Sequence, residues 1–174
     1  ATAAPALAQP VAEGVQSDVG KTSRLANLVP AEQVEAAAQQ QYQQMLTEAS
    51  QQKALAPAQH PQLVRLRAIA DRLIPYAVPW NKRATQWKWE VNLIGSKELN
   101  AFCMPGGKIA FYNGILKQLR LSDAEVAMIM GHEMAHALRE HARARMGKTA
   151  ATRVGASLLS ALLGLGSEIG RAHV

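Results

Sequence analysis

The sequence predicts an α+β domain in which helices surround a small, mostly antiparallel sheet. Three observations predict it. Two stretches, 34–49 and 63–74, place apolar residues at about every third or fourth position. A run over 86–94 alternates polar and apolar residues and is rich in strand formers. A serine followed three positions later by a glutamate, Ser122 and Glu125, opens a third helical stretch.

The first helix is predicted to begin at Pro30, because proline is accepted in the first turn, and to run to about Leu55. Val34, Ala38, Tyr42, Met45 and Ala49 form its apolar stripe, and the glutamines of 39–44 are its solvent face. Pro57 and His60-Pro61 interrupt it. A second helix follows with Leu63, Leu66, Ile69, Ala70, Leu73 and Ile74 facing the core, and it ends at Pro75 and Pro79. His60 reads as a loop or capping residue.

Gln86 to Ile94 is predicted to be a half-buried strand, with Trp87 and Trp89 as core pieces. Asn100 to Met104 is a second, short strand. Pro105-Gly106-Gly107 makes a tight turn, and Lys108 to Tyr112 returns as the hairpin partner. A short helix near 114–119 closes this section.

With 174 residues the chain can build one domain with a real core. At 48% hydrophobic and 18% charged it has an ordinary globular composition, which excludes a disordered or fibrous protein. The net charge is +6, and Arg139, Arg143, Arg145, Lys148 and Arg153 cluster together. No aromatic residues are interleaved with them, so they read as a solvated helix flank rather than a nucleic-acid surface. The single cysteine, Cys103, excludes an internal disulfide and a zinc site built on cysteines. No apolar run approaches the roughly 18 residues of a membrane span. Ala6-Leu7-Ala8 has the small-x-small form of a signal-peptidase site. Residues 1–29 are therefore expected to be a flexible arm, its first residues either the remnant of an export leader or an Ala/Pro-rich tail.

Chemistry concentrates in Gly131-His132-Glu133-Met134-Ala135-His136. Histidines at i and i+4 share one helical face and can grip one metal ion, with the intervening glutamate beside its open side. Ser122 and Glu125 form a capping box, with Leu121 and Val126 as a hydrophobic staple. The helix they open is predicted to run through Met146 and stop at Gly147, so that the motif sits in mid-helix. At about 100° per residue, His132 and His136 share a polar stripe with Glu125, Arg139 and Arg143. Val126, Met130, Met134, Ala137 and Leu138 lie opposite, and on the same count His141 falls among them as a structural residue. His132 and His136 are the candidate zinc ligands. Glu133 is the candidate base that takes a proton from an attacking water and passes it to the leaving amine. Glu140 is too far along such a helix to join them, about 12 Å from His132. Glu168 and His173 lie in a weakly patterned tail and are not assigned as the third ligand.

The ordered segments Trp89 to Ile94, Asn100-Ala101-Phe102, Pro105 to Ile109 and Gly131 to His136 resemble the zinc peptidases related to HtpX and the CAAX prenyl proteases. Within these they look most like the soluble periplasmic branch of LoiP and BepA. The resemblance implies a zincin-like (gluzincin) domain, Zn2+ as cofactor, His132 and His136 as ligands and Glu133 as catalytic base. It also implies that Asn100, Ala101, Phe102 and Cys103 line a cleft edge, where a polypeptide substrate pairs as an added strand. The family's third ligand is a downstream glutamate in an E-x-x-x-A-D type motif, and no such motif follows Met146. Residues 30–174 are thus expected to be the front part of one catalytic domain. A second chain or a missing C-terminal part would supply the glutamate.

The expected function is an exported, periplasmic endopeptidase of the bacterial cell envelope that acts on unfolded or misassembled envelope proteins. The alternative is an envelope chaperone or assembly factor that keeps the fold without turnover. The apolar tail Val154–Leu165 is expected to be a buried helix, with peripheral membrane contact or partner binding as the second reading. No nucleic-acid partner is expected.

Overall fold

The computed structural model describes residues 23–154. Helix α1 spans Ala31–Gln51 and α2 spans Pro61–Leu73. Strands β1 (Glu90–Ile94), β2 (Ala101–Met104) and β3 (Lys108–Tyr112) follow, then α3 (Asn113–Leu119) and α4 (Asp123–Leu138). A further helix, α5, occupies 141–154. The helices begin and end largely where local chemistry dictates. His60 caps α2 by accepting from the Gln62 backbone N–H at 3.2 Å, and Pro61 takes the first turn. The first helix stops earlier than Leu55, because Lys53 adopts a left-handed φ of 54° and Leu55 bridges to Ile94.

The sheet has the order β1-β3-β2. Strand β3 pairs antiparallel with β2, through the expected hairpin, and parallel with β1. The expectation of a mostly antiparallel sheet is therefore corrected: the sheet is mixed. The physical reason is that the hairpin inserts β3 between β1 and β2, so the first strand meets a neighbour running its own way. The turn needs its glycines. Gly106 and Gly107 have φ of 84° and 77°, and a Cβ on Gly107 would stand 2.7 Å from the Trp89 ring. The strand predicted from Gln86 begins only at Glu90, whose N–H reaches Gly107 O at 3.0 Å. Residues 86–89 lie before the start of β3 and have no strand to pair with. Trp87 and Trp89 instead tether the segment, through hydrogen bonds to Glu35 and to Ala84 O.

Alternation along β3 sends Ile109 and Phe111 to one face and Ala110 and Tyr112 to the other. The first face packs against α2 and α4, through Leu63, Leu66, Ile69, Val126, Met130 and Met134. The second packs against α1, where Tyr42 is fully buried. Its hydroxyl donates to Ile109 O at 2.6 Å and accepts from Asn92 Nδ2 at 3.0 Å, so burying this polar atom costs little. The result is three layers, with the sheet between α1 and the α2–α4 pair. Among the described residues no helix is long and apolar enough to cross a membrane.

The loose arm expected over 1–29 ends sooner. Arg24–Leu28 forms a 3-10 turn with Ala26 fully buried, and Arg143 Nε donates to Val29 O at 2.6 Å. The suggested leader remnant, most of the apolar tail, Glu168 and His173 fall outside the described residues.

Candidate metal centre

Helix α4 is fixed at its start by the predicted capping box. Ser122 Oγ accepts from the Glu125 N–H at 3.3 Å, and Glu125 Oε2 accepts from the Ser122 N–H at 2.7 Å. Ser122 Oγ also donates to the carboxylate, and these bonds hold the Glu125 carboxyl below the usual glutamate range. A depressed folded-state pKa makes the contribution of this carboxylate full above the ordinary glutamate pKa. It is lost as pH falls through the lowered value. Ser122→Ala should cost about 1 kcal/mol of unfolding free energy near neutrality. Denaturant titrations at neutral and strongly acid pH should show that cost shrinking as Glu125 is protonated.

The far end of α4 departs from expectation. The helix stops at Leu138 and does not continue to Met146. Asn81, itself fully buried, donates from Nδ2 to Leu138 O at 2.9 Å and ends the helix from outside. Glu140 then takes a left-handed φ of 54°. Its carboxylate is buried against the Arg143 guanidinium at 3.0 Å, and burial holds its pKa above the usual range against the pull of that cation. Arg143 is therefore part of an interior pair rather than of a solvated basic flank, whereas Arg139, Arg145, Lys148 and Arg153 are exposed.

On the exposed face of α4, His132 and His136 turn towards each other. Their Nε2 atoms stand 3.1 Å apart, with ring planes at 89°. Two nitrogens bound at 2.0–2.1 Å to one tetrahedral zinc would be about 3.3 Å apart, so the pair fits a common ion with little movement. Among the described residues no group of three or more His, Cys, Asp or Glu side chains is placed to hold a metal. The described residues thus bring two imidazole nitrogens together and place no third such donor beside them.

Glu133 is half-buried on the flank that meets β2, the edge strand packed on α4. Burial, followed by the Glu133 charge, holds the Cys103 thiol protonated well above its usual range. Of the predicted substrate-lining residues, Ala101, Phe102 and Cys103 are in β2, while the exposed Asn100 just precedes it. His132 and His136 are both exposed on this helix.

His141 is misplaced by the periodicity reading. It lies not among the core residues opposite the pair but beside it, with Nδ1 2.7 Å from Nδ1 of His136 and ring centroids 4.9 Å apart. Burial comes first among the influences that lower its pKa, followed by the charges of His136, Arg139 and Arg145.

Residues 57–173 match the model of peptidase family M48. The Schizosaccharomyces pombe mitochondrial metalloendopeptidase OMA1 is 27% identical over 132 residues, 76% of this chain and 37% of the relative. The Saccharomyces cerevisiae protein of that name is 29% identical over 103 residues, 56% of this chain and 30% of the relative. The Arabidopsis thaliana protein is 47% identical over 53 residues, 30% of this chain and 11% of the relative. The chain thus spans between 11% and 37% of these relatives' length. Their mitochondrial names overturn the expectation of an exported periplasmic protein of the bacterial envelope, and nothing in them supports the LoiP and BepA branch. The expectation of a metallopeptidase is met at the level of the family. With a match over more than half of its length, the chain belongs to peptidase family M48.

Proposed function

We propose that the protein is a zinc-dependent endopeptidase that hydrolyses peptide bonds in unfolded or misassembled polypeptides. The observation that carries this reading is the convergence of the His132 and His136 Nε2 atoms at 3.1 Å on the open face of α4. Family membership and relatives named metalloendopeptidases support it. Bound zinc would supply a Lewis acid and a more acidic water. Glu133 takes the proton of the attacking water and delivers it to the leaving amine. The outer edge of β2, unpaired among the described residues, receives an extended segment of substrate as a further strand, and main-chain hydrogen bonds hold the scissile bond beside Glu133. That mode suits an unfolded chain, since a folded one has no extended segment to offer. A glutamate from outside residues 23–154, in this chain or a second one, completes the ligand set.

The described residues hold two ligands rather than three, which favours a second reading: a polypeptide-binding protein of the same fold without turnover. Zinc stoichiometry and cleavage of an unstructured polypeptide separate the two. The peptidase reading expects about one zinc per chain. Cleavage should stop when a chelator strips the metal and return when zinc is restored. Binding of the polypeptide without cleavage, at full zinc loading, would establish the other reading.

A further inference from the structure

We propose that His141 is a positioning residue that sets the tautomer of His136, leaving Nε2 of that ring unprotonated and aimed at the metal position. The proposal rests on the reading of His136 as a ligand and assigns a role to a neighbour outside the H-E-x-x-H motif. A ligating imidazole coordinates through one nitrogen and donates its other N–H to an acceptor, which fixes both tautomer and ring orientation. His136 faces His132 with Nε2, at 3.1 Å, and faces His141 with Nδ1, at 2.7 Å. The His141 contact is therefore on the side of the ring away from His132, so His141 does not join the pair as a ligand. It supplies the acceptor: His136 Nδ1–H donates to His141 Nδ1, and the remaining proton of His141 sits on its Nε2.

The fold is built to make this contact. In an uninterrupted helix His141 would lie about 140° round from His136, out of reach. The end of α4 at Leu138 and the left-handed Glu140 bring it back. That turn is held from two sides, by Asn81 on Leu138 O and by the buried Glu140–Arg143 pair. A left-handed glutamate is unfavourable by about 1–2 kcal/mol, so the surrounding contacts must impose it.

The test reads ring protons directly in the metal-free chain of 174 residues, with 15N-labelled histidine and long-range 1H–15N correlation spectra. His136 is expected to carry its proton on Nδ1. In His141→Phe it should move to Nε2, and His141→Asn, whose Oδ1 stands near the place of Nδ1, should restore the Nδ1–H form. Zinc affinity, measured by competition with a chromophoric chelator, should fall roughly 10–100-fold in His141→Phe and recover most of that loss in His141→Asn. A proton on His136 Nε2 in the unsubstituted chain, or a tautomer indifferent to His141→Phe, would overturn the proposal. Should His141→Phe fail to fold by circular dichroism, the tautomer of the unsubstituted chain decides alone. Because neither substrate nor metal enters the spectra, a chain with the expected tautomer and no peptidase activity would sink the functional reading and leave this one standing.

Discussion

Glu133→Gln should lower the turnover of an unstructured polypeptide by about 10²–10⁴-fold, the usual contribution of a positioned general base. That range corresponds to roughly 3–5.5 kcal/mol of transition-state stabilisation. Glutamine keeps the size and polarity of the side chain, and Glu133 sits half-buried on the flank of α4, so the substitution should not disturb packing. His132 and His136 keep their Nε2 atoms facing each other, and bound zinc should be unchanged. The informative measurement is therefore a pair: single-turnover cleavage alongside metal content on the same preparation. Loss of cleavage with zinc retained assigns the proton transfer to Glu133. Wild-type cleavage in the variant would remove Glu133 from the mechanism, and zinc lost together with cleavage would mean that the residue supports the metal instead. Binding of the polypeptide along β2 should survive, because that strand's edge is untouched.

The contrast between the two ends of α4 shows what the sequence makes legible. Its start is written locally: Ser122 and Glu125 satisfy each other's backbone groups within four residues, and the capping box forms as read. The pairing of His132 with His136 is also local, a matter of i and i+4 on one helix. Its end is not written locally. Leu138 is followed by arginine, glutamate and histidine, with no proline and no glycine until Gly147, and the apolar period carries on. What stops the helix is Asn81, 57 positions earlier, with an Arg143 that is itself anchored to Val29 O. Contacts of that range leave no periodic trace, so periodicity alone puts His141 in the core and Arg143 on a solvated flank. The sheet divides in the same way. The β2–β3 hairpin follows from Pro105-Gly106-Gly107, whereas the parallel pairing of β1 with β3 depends on which side the hairpin folds. Trp87 likewise alternates correctly but belongs to no strand, because its partner is Glu35 on α1 rather than a neighbouring chain.

Phe111→Ala should cost about 3–5 kcal/mol, the range for deleting a fully buried aromatic ring. Phe111 has no solvent exposure and stands in the central strand, opposite Leu93 on β1 and Ala101 on β2. Against a typical total of about 5–15 kcal/mol, that loss leaves the fold marginal or unfolded. The cost is large because both neighbouring strands would lose a side-chain partner at once, while the void left behind borders the layer that supports α4. Met130 and Met134, on the inner face of that helix, belong to the same buried cluster, and His132 and His136 lie on its outer face. Loosening the cluster should therefore weaken zinc retention before secondary structure is lost. Met128→Ala on the same helix is the control, since that side chain is 75% exposed and its loss should change stability by no more than about 0.5 kcal/mol. Urea titrations of the two variants give the comparison through their midpoints at equal slope. Equal stabilities would contradict the placement of Phe111 at the centre of the layers. A Phe111→Ala chain that unfolds earlier and releases zinc at lower urea would tie the His132–His136 pair to the core beneath it.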